Sequence, residues 1–139
     1  IYDRAHTRDL DQLSGLAHTM PLTAVVMITA GLAALGLPAM SGFVAELLVF
    51  LGSFDKYTVP TIVAVIGILL SAGYILWTIQ RLFYGPKTDR WASLPDADTW
   101  WERVPMAALI VSIVGIGVYP AIVTDVIDTG IINIVTALA

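Results

Sequence analysis

The sequence Gly36-Leu37-Pro38-Ala39-Met40-Ser41-Gly42 interrupts the first apolar run of the chain, which extends over residues 20–54. Pro38 has no N–H for a hydrogen bond to the carbonyl of Ala34, and its ring crowds that carbonyl. Glycine weakens a helix further because it loses more backbone freedom on folding than any other residue. The sequence therefore predicts a discontinuous helix, with helical segments Pro21–Leu37 and Ser41–Ser53. The break lies near residues 36–42, and its residues are Gly36, Pro38, Ser41 and Gly42.

The length of this apolar run supports the same interpretation. Residues 20–54 as one straight helix would be about 52 Å long, far more than the roughly 30 Å of membrane hydrocarbon. Two complete spans joined by a loop are the alternative. Neither half reaches the ~20 residues that a span requires, so we favour the discontinuous helix.

The composition is that of a membrane protein. Of 139 residues, 58% are hydrophobic and only 13% are charged, and the mean hydropathy is +0.83. Soluble domains carry about 25% charged residues. We therefore predict an all-α, polytopic membrane protein in which two transmembrane helices, residues 57–84 and 104–124, follow the discontinuous helix. A polar segment (1–19), a loop (85–103) and a C-terminal tail (125–139) complete the chain.

Two local patterns mark the start of the last span. Thr99 and Glu102 have the spacing of a capping box, in which each side chain binds a free backbone N–H at the helix start. Pro105 follows shortly, and a proline inside a helix predicts a kink or a restart. Within the tail, Thr129–Ala139 is too short to span a membrane, so we expect it to lie at the interface, to pack on a neighbour or to continue into further sequence.

Several classes of function are excluded by composition. The chain has no cysteine and two histidines, so we expect no disulfide, iron–sulfur cluster or metal site on it. The net charge is -4 and the charged residues lie in short clusters, so the sequence shows no basic region that would bind nucleic acid. Residues 1–20 lack the apolar stretch of a signal peptide, and we expect the chain to be part of a longer protein or a processed product.

Lysine and arginine predict the orientation in the membrane. With three crossings, the opening segment and the loop 85–103 share one side of the membrane with Arg81. That side carries Arg4, Arg8, Arg81, Lys87, Arg90 and Arg103. The other side carries only Lys56. Because cytoplasmic segments are enriched in basic residues, we expect the opening segment in the cytoplasm and the C-terminus outside.

Glu46 is the candidate functional residue. It is the one charged residue of residues 20–54, and it follows the break on the second helical segment. A carboxylate in hydrocarbon is costly, so it faces protein or water and typically marks an ion path. Broken helices expose backbone groups that bind ions in transporters. We predict that Glu46 transfers protons; the alternative is a carboxylate paired for packing alone.

A second set of polar residues lies on one face of the helix 57–84. Its members are Gly67, Ser71, Tyr74, Thr78 and Arg81, at helical spacing. Ser71, Tyr74 and Thr78 could line a hydrated proton path towards the middle of the membrane. Tight helix packing through small residues and hydroxyls is the alternative, and it is favoured for Gly67 and Ser71. Arg81 is interpreted as an interfacial anchor.

The chain as a whole resembles the C-terminal part of the antiporter-like membrane subunits of respiratory complex I. The likeness is greatest to the chain-4 (M-type) subunit of NADH–quinone oxidoreductase and its photosynthetic relatives. It rests on residues 2–10 (Tyr-Asp-Arg-Ala-His-Thr-Arg-Asp-Leu), residues 36–46 from Gly36 to Glu46, Tyr74-Ile75-Leu76-Trp77, and residues 80–85 from Gln80 to Gly85. Gly115 to Pro120 is a weaker match.

This resemblance implies a fold of about fourteen helices, of which the chain supplies the last part. It also implies that Glu46 transfers protons at the end of a charged axis through the membrane arm. A glutamate at this position favours the chain-4 type, since related subunits have lysine there. The first repeat of the family, with its own charged residues, is absent from the 139 residues.

The function implied is proton translocation as a subunit of an NAD(P)H–quinone oxidoreductase, with no redox catalysis, catalytic residue, cofactor or metal on this chain. NAD(P)H, FMN, iron–sulfur clusters and quinone are expected in partner subunits of the membrane arm and of a peripheral electron-transfer arm. The location implied is the bacterial plasma membrane or the thylakoid membrane. Alternatives are a multisubunit cation/proton antiporter, a membrane-bound hydrogenase, or a non-transporting structural piece.

Overall fold

The structure, a computed structural model, describes residues 1–138. In that range it consists of helices and loops. The helices are α1 (Tyr2–Ala5), α2 (Pro21–Ala34), α3 (Ser41–Phe54), α4 (Thr58–Phe83), α5 (Trp100–Val118) and α6 (Ala121–Leu138). Two short 3-10 helices, Leu16–His18 and Asp89–Trp91, lie in the opening segment and in the loop before α5. The all-helical prediction is confirmed.

The first apolar run forms two helices of 14 residues each, as the interruption predicts. Each is about 21 Å long, too short to cross a membrane alone. α2 ends at Ala34, three residues before the predicted Leu37. Gly36 adopts a left-handed conformation (φ 64°), and the residue before a proline is disfavoured in the helical region, so the helix stops before Leu37.

α2 and α3 lie along successive halves of α4, which runs the other way. Gly31 of α2 lies beside Ile75 and Ile79, near the C-terminal end of α4. At the far end of α3, the hydroxyls of Ser53 and Thr61 are 3.1 Å apart. α4 has 26 residues and is long and apolar enough to cross a membrane. α2 and α3 in series therefore cover the same depth as the single helix α4.

The buried core lies at one end of the bundle. The opening segment and the loop before α5 cover the C-terminal end of α4, where Leu16, Met20 and Phe83 are almost fully buried. Trp91 is buried with them, and its indole N–H donates to the carbonyl of Gln12 at 2.8 Å. Away from this end the helices expose large apolar side chains, for example Leu69 and Leu70. Such a surface is typical of segments that face lipid or other membrane helices.

The last part of the chain differs from the predicted boundaries. α5 ends at Val118 rather than at the predicted Thr124, because Pro120 cannot continue the hydrogen-bond ladder and Tyr119 before it leaves the helical region. α6 begins at Ala121, directly after the proline, and includes most of the predicted tail. Residue 139 lies outside the described residues.

The start of α5 also differs from the local patterns. Thr99 is the N-cap residue but makes no side-chain cap hydrogen bond, and the Glu102 carboxylate pairs with Arg4 instead. The predicted capping box is therefore wrong, because Arg4 of the opening segment binds the Glu102 carboxylate that the capping box would use. α5 remains one helix through Pro105, which lies early enough to remove only one backbone hydrogen bond near its N-terminus.

Candidate functional site

The break between α2 and α3 is the candidate site, and Glu46 lies over it. The carboxylate of Glu46 lies against the Cα of Gly36. An ideal Cβ built on Gly36 would overlap Oε2 of Glu46, and it would be 2.9 Å from Cδ and 3.3 Å from Oε1. The side chain from the second turn of α3 therefore reaches back to the chain segment just after α2.

Glu46 is half-buried, and the structure gives it no protein partner. In the described part of the chain it takes part in no ion pair and no hydrogen bond. A carboxylate in this position retains its acceptor capacity for water, for a proton, or for a group outside this chain.

Two further glycines allow close approach of backbone at the break. A Cβ on Gly42, the second residue of α3, would overlap the carbonyl oxygen of Ala33 in α2. A Cβ on Gly117, near the end of α5, would overlap the backbone of Ala39 and Met40. The break is thus enclosed by backbone on two sides, with α2 on one and α5 on the other.

The other residues predicted at the break have simpler positions. Pro38 lies within it, and Ser41 is the first residue of α3. Met40 is the N-cap residue of α3, and no side chain caps this helix. Ala39 is left-handed (φ 70°), which is unusual for a residue with a Cβ. Backbone in a sparsely populated conformation concentrates at functional sites.

The polar face of α4 is not joined to Glu46. Ser71 is half-buried, Tyr74 is 61% exposed, and the Thr78 hydroxyl donates at 2.8 Å to the carbonyl of Tyr74 in its own helix. No hydrogen bond links any of the three to Glu46 across the described residues. A proton path through Ser71, Tyr74 and Thr78 stays a prediction.

Arg81, at the end of this face, is held by surface contacts. Its guanidinium pairs with Asp11 of the opening segment and lies 5.1 Å from the centroid of the Trp77 ring. A cavity of about 690 Å³ adjoins this pair, lined in part by Gln80, Tyr84 and Arg90. It lies at the covered end of α4 and does not include Glu46. These contacts agree with an anchoring function for Arg81.

Asp96 is a structural residue that the sequence did not reveal. Its carboxylate accepts hydrogen bonds from the N–H groups of Leu22 (2.7 Å) and Thr23 (3.2 Å) and from the Thr23 hydroxyl (2.8 Å), so it caps α2. The sequence gives only one indication of such a cap. Pro21 begins α2, and Met20 before it has no side chain that can accept a hydrogen bond from the first N–H groups of the helix. Asp96, from the loop before α5, supplies the cap that the local sequence lacks.

The same contacts set the pKa of Asp96, which lies in the loop outside the apolar helices. Partial burial raises the pKa of this carboxyl. Hydrogen bonds from the Thr23 hydroxyl and from the N–H groups of Ala97, Leu22 and Thr23 outweigh that effect, and the pKa lies below its ordinary value. Asp96 is therefore ionised at neutral pH and complements the positive end of the α2 dipole.

No group of three or more potential metal ligands (His, Cys, Asp or Glu) occurs among the residues that the structure describes. His6 and His18 both lie exposed in the opening segment. The candidate site therefore consists of one carboxylate, a left-handed glycine, and the backbone of a broken helix.

Comparison with known proteins matches residues 1–71 to the transmembrane family described as NADH:quinone oxidoreductase/Mrp antiporter. The match includes the break and Glu46 but ends before Tyr74 and Thr78. The relatives have the predicted chain-4 (M-type) identity, which confirms the resemblance.

NAD(P)H-quinone oxidoreductase chain 4 of Acaryochloris marina is 42% identical over 137 residues, which cover 91% of this chain and 26% of the relative. NADH-quinone oxidoreductase subunit M of Rhodobacter capsulatus is 36% identical over 135 residues, covering 97% and 26%. A chain 4 from Synechococcus sp. JA-3-3Ab is 37% identical over 137 residues, covering 91% and 25%. The chain thus spans about a quarter of the length of these curated relatives.

Proposed function

The chain belongs to the NADH:quinone oxidoreductase/Mrp antiporter transmembrane family, and from this membership we propose that it forms part of a proton-translocating membrane-arm subunit of an NAD(P)H–quinone oxidoreductase. The relatives that support this are named as subunits or chains of such oxidoreductases. In this proposal, quinone reduction by partner subunits drives proton movement through the membrane arm.

The observation that carries the proposal is the unpaired carboxylate of Glu46 at the break. An ionised carboxylate without a partner is strongly disfavoured in a membrane, and protonation removes that cost. In this proposal Glu46 passes protons in step with changes in the charge of neighbouring subunits. The broken helix places the carboxylate directly against the backbone of Gly36, at an interruption of the kind that lines ion sites in transporters.

The partners follow from the same proposal. NAD(P)H, FMN, iron–sulfur clusters and quinone belong to other subunits, in the membrane arm and in a peripheral electron-transfer arm. This chain has no cysteine with which to hold a cluster, and we assign it no redox step. We place it in the bacterial plasma membrane or the thylakoid membrane, with the C-terminus outside, because six of the seven basic residues lie on the opposite side.

The test replaces Glu46 in the complete complex. Glu46→Gln retains the size of the side chain but cannot release a proton. We expect a complex that assembles normally and translocates fewer protons per electron, or turns over more slowly because electron transfer and proton movement are coupled. The matched control is Asp55→Asn, an equally small change at the exposed turn between α3 and α4. Normal proton translocation and normal turnover in Glu46→Gln would refute the role of Glu46.

The second candidate function is cation/proton exchange, because the family that the chain belongs to also includes Mrp antiporters. A cation/proton antiporter subunit requires no electron donor. Proton exchange that depends on sodium or potassium, in membranes without NAD(P)H or quinone, would favour it over the oxidoreductase. A hydrogenase-linked subunit would show hydrogen-dependent proton movement, and a purely structural piece would tolerate Glu46→Gln in all of these assays.

A further inference from the structure

Two residues of the break adopt the left-handed backbone conformation, and only one of them is glycine. Gly36 has φ 64° and Ala39 has φ 70°. Left-handed backbone favours glycine because a Cβ meets steric resistance there. Ala39 shows that this break tolerates a Cβ in that conformation. The left-handed backbone at Gly36 therefore makes a Cβ there costly, by about 1–2 kcal/mol, but does not forbid it.

The two positions differ in what a side chain would meet. A Cβ at position 36 would overlap Oε2 of Glu46 and approach Cδ to 2.9 Å. These atoms are the end of a flexible side chain, not backbone. A methyl group at Gly36 would therefore displace the carboxylate, in addition to straining the left-handed backbone.

We propose that Gly36 is a positioning residue for Glu46: its missing side chain leaves the space in which the carboxylate lies against the break. The proposal rests on the function proposed above, because it concerns the placement of the same carboxylate. Gly36→Ala retains the carboxylate but moves it away from the backbone of the break. Proton transfer depends on hydrogen-bond geometry, so a displaced carboxylate exchanges protons poorly.

The experiment combines three variants in the complete complex. Gly36→Ala adds the methyl group, Glu46→Asp withdraws the carboxylate by one methylene, and the double variant does both. We expect Gly36→Ala to lower the rate of proton translocation at least several-fold, because a displaced carboxylate no longer has the geometry that proton transfer requires. The double variant should translocate as well as Glu46→Asp alone, because the shorter acid leaves room for the methyl group. Independent, multiplying losses in the double variant would overturn the proposal.

Gly31→Ala is the control for packing, since Gly31 has ordinary helical backbone; the strain of the left-handed backbone is controlled by the double variant, which retains it. Gly31→Ala adds the same methyl group to α2, where the new Cβ would press against the flexible end of Ile79 at 2.9 Å. It tests whether any methyl group pressed against a side chain in this region impairs the complex. We expect assembly and proton translocation to be retained in this control. An equal loss in Gly31→Ala and Gly36→Ala would mean a general packing effect and would contradict the proposal.

An infrared measurement separates this proposal from the function it rests on. The carboxyl band of Glu46 is identified as the band lost in Glu46→Gln. We expect Gly36→Ala to shift this band, because its surroundings change, while Gly31→Ala leaves it in place. If the band shifts but proton translocation stays normal, Gly36 does position the carboxylate, but the carboxylate has no function in transport. An unshifted band would refute the positioning by Gly36.

Discussion

Asp96 accepts a hydrogen bond from the backbone N–H of Leu22 at 2.7 Å, across 74 positions of sequence. The first half of the discontinuous helix thus takes its N-terminal cap from the loop that precedes α5. A helix of 14 residues depends on such a cap more than a long helix does, since a larger share of its N–H groups is unpaired. The loop therefore helps to determine where the first half of the broken helix begins.

Removal of this cap should destabilise the end of the bundle that the opening segment covers. We expect Asp96→Ala to lower the free energy of unfolding by about 1 kcal/mol, the usual value of an N-cap. Asp96→Asn, which retains a capping oxygen, should cost less. The measurement is the melting temperature of the purified complex in detergent. The control is Asp89→Ala in the same loop, where the exposed carboxylate makes no side-chain hydrogen bond within the described residues. Equal effects of Asp96→Ala and Asp89→Ala would contradict the cap.

The lowered pKa of Asp96 gives a pH dependence of known sign. The carboxylate form is stabilised in the folded state, so its contribution is fully present above the ordinary pKa of 3.8. It is lost as the pH falls through the lower pKa of the folded state. On acidification below about pH 4, the melting temperature of the parent should fall more steeply than that of Asp96→Asn. Parallel curves would show that Asp96 does not contribute.

The pair between Arg4 and Glu102 should contribute more than the other exposed pair of this region. The Arg4 guanidinium donates to both carboxylate oxygens of Glu102, at 2.8 and 2.7 Å, and also to the carbonyl of Pro95. We expect Glu102→Gln to cost about 1 kcal/mol, near the upper end for pairs that water reaches.

The Arg103–Asp98 pair is the comparison. Its atoms are 3.4 Å apart, and both side chains are more than half exposed. Asp98→Asn should therefore leave the melting temperature unchanged. If Asp98→Asn lowered the melting temperature as much as Glu102→Gln does, the contact of Arg4 with both oxygens of Glu102 would contribute no more stability than an exposed pair.

Two glycines of α5 offer a sharp comparison at the break. A Cβ on Gly117 would overlap the backbone of Ala39 and Met40, whereas a Cβ on Gly115 would meet nothing within 4 Å. We expect Gly117→Ala to cost about 2 kcal/mol, because backbone cannot yield as a side chain does. Gly115→Ala should be neutral or stabilise by up to about 1 kcal/mol, the gain in helix propensity. Melting temperature and yield of the assembled complex measure both, and similar values would exclude close contact at Gly117.

The elements that the sequence predicts well are those with local causes. Pro38 and two glycines within residues 36–42 are sufficient to predict the break, since each acts on the backbone next to it. The predicted helix 57–84 agrees with Thr58–Phe83 to within one residue at each end. Glu46 becomes a candidate without any tertiary information, because it is the one charge in a long apolar run; its transport function stays a prediction.

The features that the sequence does not predict depend on distant residues. The capping box at Thr99 fails because Arg4 competes for Glu102, and no local pattern contains Arg4. The Asp96 cap and the approach of Glu46 to Gly36 both depend on how separate segments meet. The end of α5 at Val118 is different, since Pro120 was available as a local signal. The apolar run continues to Thr124 and predicts a longer helix, but the proline ends the helix before it.

The contact at Gly117 has a mechanical consequence. Because no side chain intervenes, the backbone of Ala39 and Met40 rests directly on α5. Side chains can absorb a small displacement by changing rotamer, but two backbones in contact have no such cushion. A displacement of Ala39 or Met40 would therefore act directly on the last turn of α5, beside Tyr119-Pro120 and the start of α6. The break and the junction between α5 and α6 would then move together.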